Sequence, residues 1–316
     1  MKKFLSFIMI AAAMVITASC NKTDSVEEAA DFVEVTYTVV AGNALTKAYY
    51  GDGTLATDLT WQVFRKDEVD NGVVWSAVTP ATSSTTKLNT SPESWQVTMK
   101  LAKSYTFRVA FWAQSENVPE GAFDITDLRA VAVDYTKFVI NNDNLDVFCN
   151  YAEVTVTGAL NQDVILYRPL AQVNVLASDY ADYVASAPAT AAETLEIAVK
   201  IENVPNLLNV VTKDTEGDAD LDLAAAAVDG DEFGSTGYYY LAMAYILGNQ
   251  EQALADNTQI VINNDTQNPM ANLEFSNMPF RANYRTNIIG QLLTGSLTYH
   301  VVIEPAFETP DYEPEI

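Results

Sequence analysis

The chain has 316 residues, 49% of them hydrophobic, and a formal net charge of −25 from 17 Lys and Arg against 42 Asp and Glu. That is ample apolar material for two cores of ordinary domain size. A field of this sign repels phosphate backbones and anionic lipid heads, which sets nucleic acid aside as a partner.

Lys2 and Lys3 form a short positive start, Phe4 to Ile16 an apolar run, and Thr17-Ala18-Ser19 lead directly into Cys20. The run is too short to cross a bilayer's hydrocarbon core and has the layout of an export signal. Its end resembles the bacterial lipobox, in which the cysteine becomes the new N-terminus and carries acyl chains. Residues 1–19 are therefore expected to be a lipoprotein signal peptide and Cys20 its lipidation site; the alternative is an ordinary secretory cut near Ala18 or Ser19 that leaves a free thiol. Without residues 1–19, which hold two lysines and no acid, the charge falls to −27. Residues 20–31, with Asp24, Glu27, Glu28 and Asp31, read as an acidic tether. Acids just behind a lipidated cysteine resemble the surface-export signals of some anaerobic Gram-negative bacteria. The longest later apolar run, Tyr238 to Leu247, has the length of a buried strand, so a surface-exposed lipoprotein anchored in the outer membrane is expected. With Cys20 acylated, Cys149 is alone, no intramolecular disulfide can form, and the thiol reads as a small buried hydrophobe.

Past the tether the pattern is a period of two broken by Gly, Asn, Asp and Pro. Residues 32–40 put Val33, Val35, Tyr37 and Val39 on one face, the mark of a half-buried strand. Similar runs fall at 59–65, 94–101, 105–113, 154–157, 164–168 and 171–176, then at 195–201, 237–247, 259–263, 284–293 and 297–303. Short strands with polar turns and few helix-length patterns predict an all-β chain of antiparallel sandwiches. Composition shifts at 180–193, where an Ala-rich stretch is compatible with a linker or a short helix, so an N-terminal sandwich over 32–182 and a C-terminal one over 191–307 are expected. The Ala- and Asp-rich stretch 214–231 reads as a surface loop or one short helix. From Glu304 on, Pro305, Pro310 and Pro314 cannot donate ladder hydrogen bonds, and 308–316 reads as a tail.

Chemistry has few footholds. The sole histidine, His300, lies in an apparent strand with no cysteine or nucleophile motif beside it, so Ser-His-Asp and Cys-His catalysis lack support. Two carboxylates could serve a hydrolase, but no spacing singles out a pair. Asp214, Asp218, Asp220 and Asp222 are spaced so that several oxygen ligands could meet one calcium ion, yet the glycine and the bidentate acid of an EF-hand loop are missing, and a solvated acidic loop is the plainer reading. No catalytic residue, metal or cofactor is assigned. Trp61 and Trp112 sit in apolar runs and read as core. Trp75 and Trp95 flank the Ser/Thr-rich turn 79–91 and are the candidates for exposed stacking on sugar rings.

Several segments together resemble the fimbrillin-like lipoproteins, relatives of the type V pilins, and within them an uncharacterised subgroup of N-terminal domains. They are Tyr105 to Ala113, Asp127-Leu128-Arg129-Ala130-Val131 to Tyr135, Asp146-Val147-Phe148, Val164 to Val175, Asn283 to Thr294 and Val301 to Phe307. The resemblance implies two transthyretin-like Greek-key sandwiches and a structural or adhesive role without catalysis. It also implies assembly by strand exchange: a protease cuts after a basic residue behind the first strand, that strand leaves, and a strand from the next subunit refills the groove. Lys47 is the matching position, where the family more usually has arginine. The acidic, proline-bracketed tail departs from the apolar donor of polymerising members, so a fimbrial tip, an accessory protein or an anchor suits the chain as well as a stalk subunit. The expected partners are the outer membrane through the lipid, other fimbrial subunits, and a host or glycan receptor; a glycan-binding lipoprotein that does not polymerise is the alternative.

Overall fold

The computed structural model describes residues 31–41, 53–70, 72–84, 87, 94–186, 195–234, 236–264, 269–295 and 297–304. The signal peptide, Cys20, Lys47, the tail 308–316 and residues 187–193 of the expected domain boundary lie outside the described residues. Fifteen strands of five residues or more are described. They are β1 (Phe32–Ala41), β2 (Asp58–Val69), β3 (Gly72–Ala77), β4 (Trp95–Ala102), β5 (Thr106–Gln114), β6 (Phe148–Thr155), β7 (Leu160–Leu166) and β8 (Leu170–Ala177), then β9 (Glu196–Val204), β10 (Ala219–Ala227), β11 (Tyr239–Leu247), β12 (Thr258–Asn263), β13 (Ala271–Phe275), β14 (Arg285–Gln291) and β15 (Thr298–Glu304). A single α-helical turn pair, α1 (Tyr180–Ser186), follows β8. The all-β class expected from the alternation is what forms. No helix among the described residues is long and apolar enough to cross a membrane.

Alternation builds the first layer. In β1, Val35, Tyr37, Val39 and Ala41 are buried and the intervening residues face out. β1 is the middle strand of the sheet β7-β1-β4, whose open face carries a hydrogen bond of 3.0 Å between the Thr36 and Thr98 hydroxyls. A second sheet, β3-β2-β5-β6, packs against it. Leu59, Val63, Val109, Phe111 and Phe148 fill the space between them, and Tyr37 meets Phe111 edge to face at 5.4 Å. β5 is apolar on both faces because both are covered. Phe107, Val109 and Phe111 face this core, whereas Ala110 and Trp112 face a larger one, closed there by residues of the segment 118–147.

The larger core is built chiefly by the sheets β11-β8-β14-β15 and β10-β9-β12-β13. All eight residues of β8 are buried. β8 belongs to the first strand series in sequence, yet it hydrogen-bonds to β11 and β14 of the second, so the chain passes between sheet systems at Tyr167–Pro169, ahead of the Ala-rich stretch. Two pairings, β1 with β7 and β8 with β14, are parallel, unlike the antiparallel pairing expected throughout. More than a hundred residues separate the members of each pair, room for the long crossover that parallel neighbours require. The stretch 214–231 also differs from the loop or helix expected of it. Leu221 and Leu223 point inward from β10, at 0% and 2% exposure, and Asp220 and Asp222 point out, so a half-buried strand forms where small side chains had suggested a turn. His300 is exposed on β15, opposite Ile289.

Arg168 and Asp146 lie where the chain passes between the sheet systems. Arg168 Nε donates to Asp146 Oδ1 at 2.7 Å and Nη2 to Oδ2 at 2.9 Å, with the side chains 3% and 2% exposed. The guanidinium also lies 4.5 Å from the centre of the Phe148 ring. Removing one member of such a pair strands a buried charge at a cost of about 3–5 kcal/mol. Asp146→Ala is therefore expected to lower Tm by about 10 °C in thermal unfolding, whereas a surface replacement such as Asp163→Ala leaves it within about 2 °C.

Candidate functional site

Two places in the fold are candidate functional sites. The first is the slot that holds β1. This strand pairs with β4 from Phe32 to Val39 and with β7 from Val35 to Ala41, so both of its edges are satisfied. Three of its side chains, Val35, Tyr37 and Val39, are 0% exposed. At roughly 1.5–3 kcal/mol for each fully buried apolar side chain, they contribute about 5–9 kcal/mol, comparable to the whole stability of an ordinary domain. Withdrawing β1 would leave β4 and β7 with facing unpaired edges roughly 10 Å apart, over an apolar trough one strand wide. The fit is imperfect: the Tyr37 hydroxyl and the Trp95 indole N–H are buried in this core without a hydrogen-bond partner among the described residues, and burial pushes the Tyr37 phenol up.

The second is a pocket of about 200 Å³ formed where the 149–150 segment of β6 meets the turns at 167–169 and 281–284 and the loop at 208–213. No Asp or Glu lines it, although acids outnumber bases by 25 in the chain. Lys213 and Arg281 do. Arg281 Nε donates to the Gln250 carbonyl at 2.7 Å and Nη1 to the Tyr284 hydroxyl at 3.0 Å, with the guanidinium 4.6 Å from the Tyr284 ring centre. All these partners are neutral. Lys213 forms no ion pair among the described residues, and its backbone is held at φ 67° by a tight loop in which its N–H donates to the Asn209 carbonyl at 2.7 Å. A row of alternating cations and rings leads away from the pocket. The Lys213 ammonium lies 5.5 Å from the Tyr151 ring centre, and the Arg108 guanidinium lies 4.4 Å from Tyr151 and 4.3 Å from Trp75. Arg108 is fixed by Glu153 at 2.8 Å and by the Val211 carbonyl at 2.6 Å.

The residues singled out in the sequence fall differently. Trp75 is half-buried, with one ring face under Arg108. Trp95 is corrected: at 1% exposure it is core, because it starts β4 on the inward phase opposite Val39, and Lys87 sits 4.8 Å over its ring. It has no free face for a sugar. Trp112 is buried as expected, its indole donating to Gln114 at 2.8 Å. Asp214, Asp218, Asp220 and Asp222 are exposed, and no three metal-ligating side chains converge among the described residues. Sequence reasoning missed Lys213 and Arg281. The available signal was scarcity: residues 191–316 hold 20 acids and only four bases. Of those four, Lys200 pairs with Glu202 at 2.5 Å and Arg285 is buried against Gln172. The remaining two line the pocket.

The fold defines an all-β protein with one strand held as an insert between two others. Residues 23–315 match the model of the Family of unknown function (DUF6562), and the chain belongs to that family. No curated protein matches it. Its backbone is similar to several solved structures at low identity. One is described as a candidate polysaccharide-binding protein (DUF1812) from Bacteroides thetaiotaomicron, at 10% identity, TM-score 0.47, with 86% of this chain and 95% of that chain covered. Another is the tip fimbrial protein Mfa3 from Porphyromonas gingivalis, C-terminally truncated, at 11% identity, TM-score 0.44, with 86% and 99% covered. A third is a fimbrial assembly protein from Parabacteroides distasonis, at 12% identity, TM-score 0.46, with 87% and 97% covered.

Cys149 lines the pocket as a neutral thiol. Burial pushes it up to about 12, and the nearby Lys213 charge only partly opposes this. An unfolded thiol ionises some three units lower, so burial of the neutral form stabilises the fold fully below about pH 9 and progressively less from there to about pH 12. Iodoacetamide at pH 8 is expected to label native Cys149 at least a hundredfold more slowly than the urea-unfolded chain, read by mass spectrometry.

Proposed function

We propose that this chain is a lipid-anchored cell-surface structural or adhesive protein, a fimbrial subunit or a tip or accessory protein, assembled by strand exchange through the slot of β1. Cys20 carries the lipid, residues 20–31 are the tether, Lys47 is the maturation site, and the body consists of two sheet systems between which the chain passes at residues 167–169. The observation that supports this reading is the central position of β1 between β4 and β7. An edge strand could depart and leave one new edge. A middle strand leaves a groove with hydrogen-bonding groups on both walls, and a single extended chain from outside can satisfy both. The energetic scale favours replacement over simple loss, because a core that loses about 5–9 kcal/mol is marginal until the trough is refilled. Anchoring and release then follow from chain order. A cut behind β1 separates the residues joined to the lipid from the body of the protein.

The test is processing. Surface material is expected to incorporate palmitate in the wild type and not in Cys20→Ala. Assembled material is expected to begin at Ala48 by N-terminal sequencing, and Lys47→Ala is expected to stop assembly with β1 retained. Assembled fibres that still start at Cys20 would overturn the cut at Lys47.

The orphaned hydroxyl of Tyr37 gives a second measurement. A buried polar group without a partner costs about 1–3 kcal/mol, so Tyr37→Phe is expected to stabilise the uncut protein by about 1 kcal/mol in urea unfolding. It is also expected to slow release of β1 after cleavage in vitro, measured as the rate at which an added peptide of residues 32–41 exchanges. A destabilised Tyr37→Phe protein would show that the hydroxyl has a partner.

The glycan-binding alternative draws support from the pocket and from the half-buried ring of Trp75, and it does not require polymerisation.

A further inference from the structure

Charge and size together specify what the pocket can hold. A chain with a net charge of −25 repels anions at long range, so any anion it binds must be held by local cations. Lys213 and Arg281 supply them, in a cavity whose lining contains no carboxylate. Arg168 also reaches the lining, but its charge is matched by Asp146 and it acts as a wall. An anion entering the pocket meets two cations and no carboxylate in its lining, which favours the charged form of each. The backbone adds to this picture. Lys213 is a non-glycine residue in the left-handed region, a conformation that costs energy and concentrates at ligand sites.

A volume of about 200 Å³ is below the roughly 300–1,000 Å³ of pockets for drug-sized molecules, so one small ring is the natural occupant. Two tyrosines are part of the lining. Tyr167 is 49% exposed, and Tyr284 is oriented by its hydrogen bond from Arg281. Aromatic planes suit the apolar faces of a sugar, and a guanidinium suits a planar or tetrahedral oxyanion through paired N–H donors.

We infer that this pocket binds a single sugar ring bearing one anionic group, a carboxylate or a sulfate ester, with Lys213 and Arg281 holding the anion and Tyr167 and Tyr284 flanking the ring. The inference deepens the glycan-binding alternative and rests on it for biological meaning. It is independent of strand exchange, because no lining residue belongs to β1, β4 or β7.

The experiment is isothermal titration of the mature protein in detergent with galacturonic acid, galactose-6-sulfate, neutral galactose and inorganic sulfate. Either or both acidic sugars are expected to bind, and which of the two does so identifies the anion. Galactose is expected to bind at least tenfold more weakly. Lys213→Gln and Arg281→Gln are each expected to weaken the acidic sugar by roughly tenfold or more, as loss of a charge-assisted hydrogen bond does, and Tyr167→Ala by less. Unchanged Tm values establish that the variants fold; Arg281→Lys, which keeps the charge, is the substitute should Arg281→Gln not fold. Inorganic sulfate binding as tightly as either sugar would overturn recognition of the ring. Acidic sugars bound equally by wild type and both variants, or not bound at millimolar concentration, would overturn the site. Processing at Cys20 and Lys47 is read in a separate assay, so failure of the anchored-fimbrial reading leaves this result standing.

Discussion

The buried pair of Arg168 and Asp146 is the constraint on which the arrangement of sheets depends. Its two members flank β6 and β7 in sequence, Asp146 just before β6 and Arg168 just after β7, so the pair ties together the outer ends of two consecutive strands that belong to different sheets. Phe148, under the guanidinium, is part of the core that β1 completes, while Leu170, two residues beyond Arg168, opens the strand at the centre of the larger core. A short backbone bridge supports the same point, with Cys149 and Tyr167 exchanging N–H to carbonyl bonds at 2.8 and 3.1 Å. Desolvating two charges is costly, and such pairs persist where geometry satisfies them fully. Here the bidentate contact fixes the angle at which the chain leaves one sheet system and enters the other. It also sets the wall of the pocket, which Arg168, Tyr167 and Cys149 all line.

Beyond that point, register in the larger core is set by polar residues. β8 and β14 run parallel with Gln172 opposite Arg285 and Asn174 opposite Asn287. Arg285 Nε donates to Gln172 Oε1 at 2.9 Å, and Asn174 Nδ2 to Asn287 Oδ1 at 2.8 Å. The Tyr245 hydroxyl adds a contact to Asp143 at 2.9 Å. All four strand residues are 3% exposed or less. Burial disfavours the Arg285 cation and the Glu304 carboxylate alike, moving the first down and the second up, and their facing positions on β14 and β15 offset this in part. A slip of one residue would turn each of these side chains to the other face. Among the apolar side chains of this core, such groups specify one pairing out of many.

These same residues mark the limit of what the sequence makes legible. The alternation in Gln172-Val173-Asn174-Val175 is that of a strand with one wet face, and it located β8 correctly. It could not reveal that Tyr245, Arg285 and their neighbours cover the polar face as well, because that burial comes from segments about seventy and more than a hundred residues away. The position of Trp95 is hidden for a related reason. Thr90, Ser91, Pro92, Glu93 and Ser94 precede it, the usual company of an exposed turn, but one residue of strand phase decides whether it faces water or Tyr37's core. In β10 the alternation of inward Leu221 and Leu223 spans only two apolar residues, and the small and acidic residues between and after them mask it. Strand positions were readable because period two is local. The pocket was not, because its cations come from turns at 213 and 281 that only the packing of separate sheets brings together.

The two proposed activities, strand exchange and anion recognition, call on different parts of the chain. Replacing β1 alters the sheet β7-β1-β4 and the smaller core, whereas the pocket is built from β6, the 167–169 turn and the loops of the larger sheet system. The elements common to both are β6, whose Phe148 faces the smaller core while Cys149 and Asn150 line the pocket, and the 167–169 turn, which continues from β7. β6 is held by β5 along its whole length, from Phe148 opposite Ala113 to Thr155 opposite Thr106, and β1 takes no part in that pairing. An incoming strand that restored the apolar contacts of Val35, Tyr37 and Val39 would therefore meet the same β2, β5 and β6, and the pocket walls would have no reason to move.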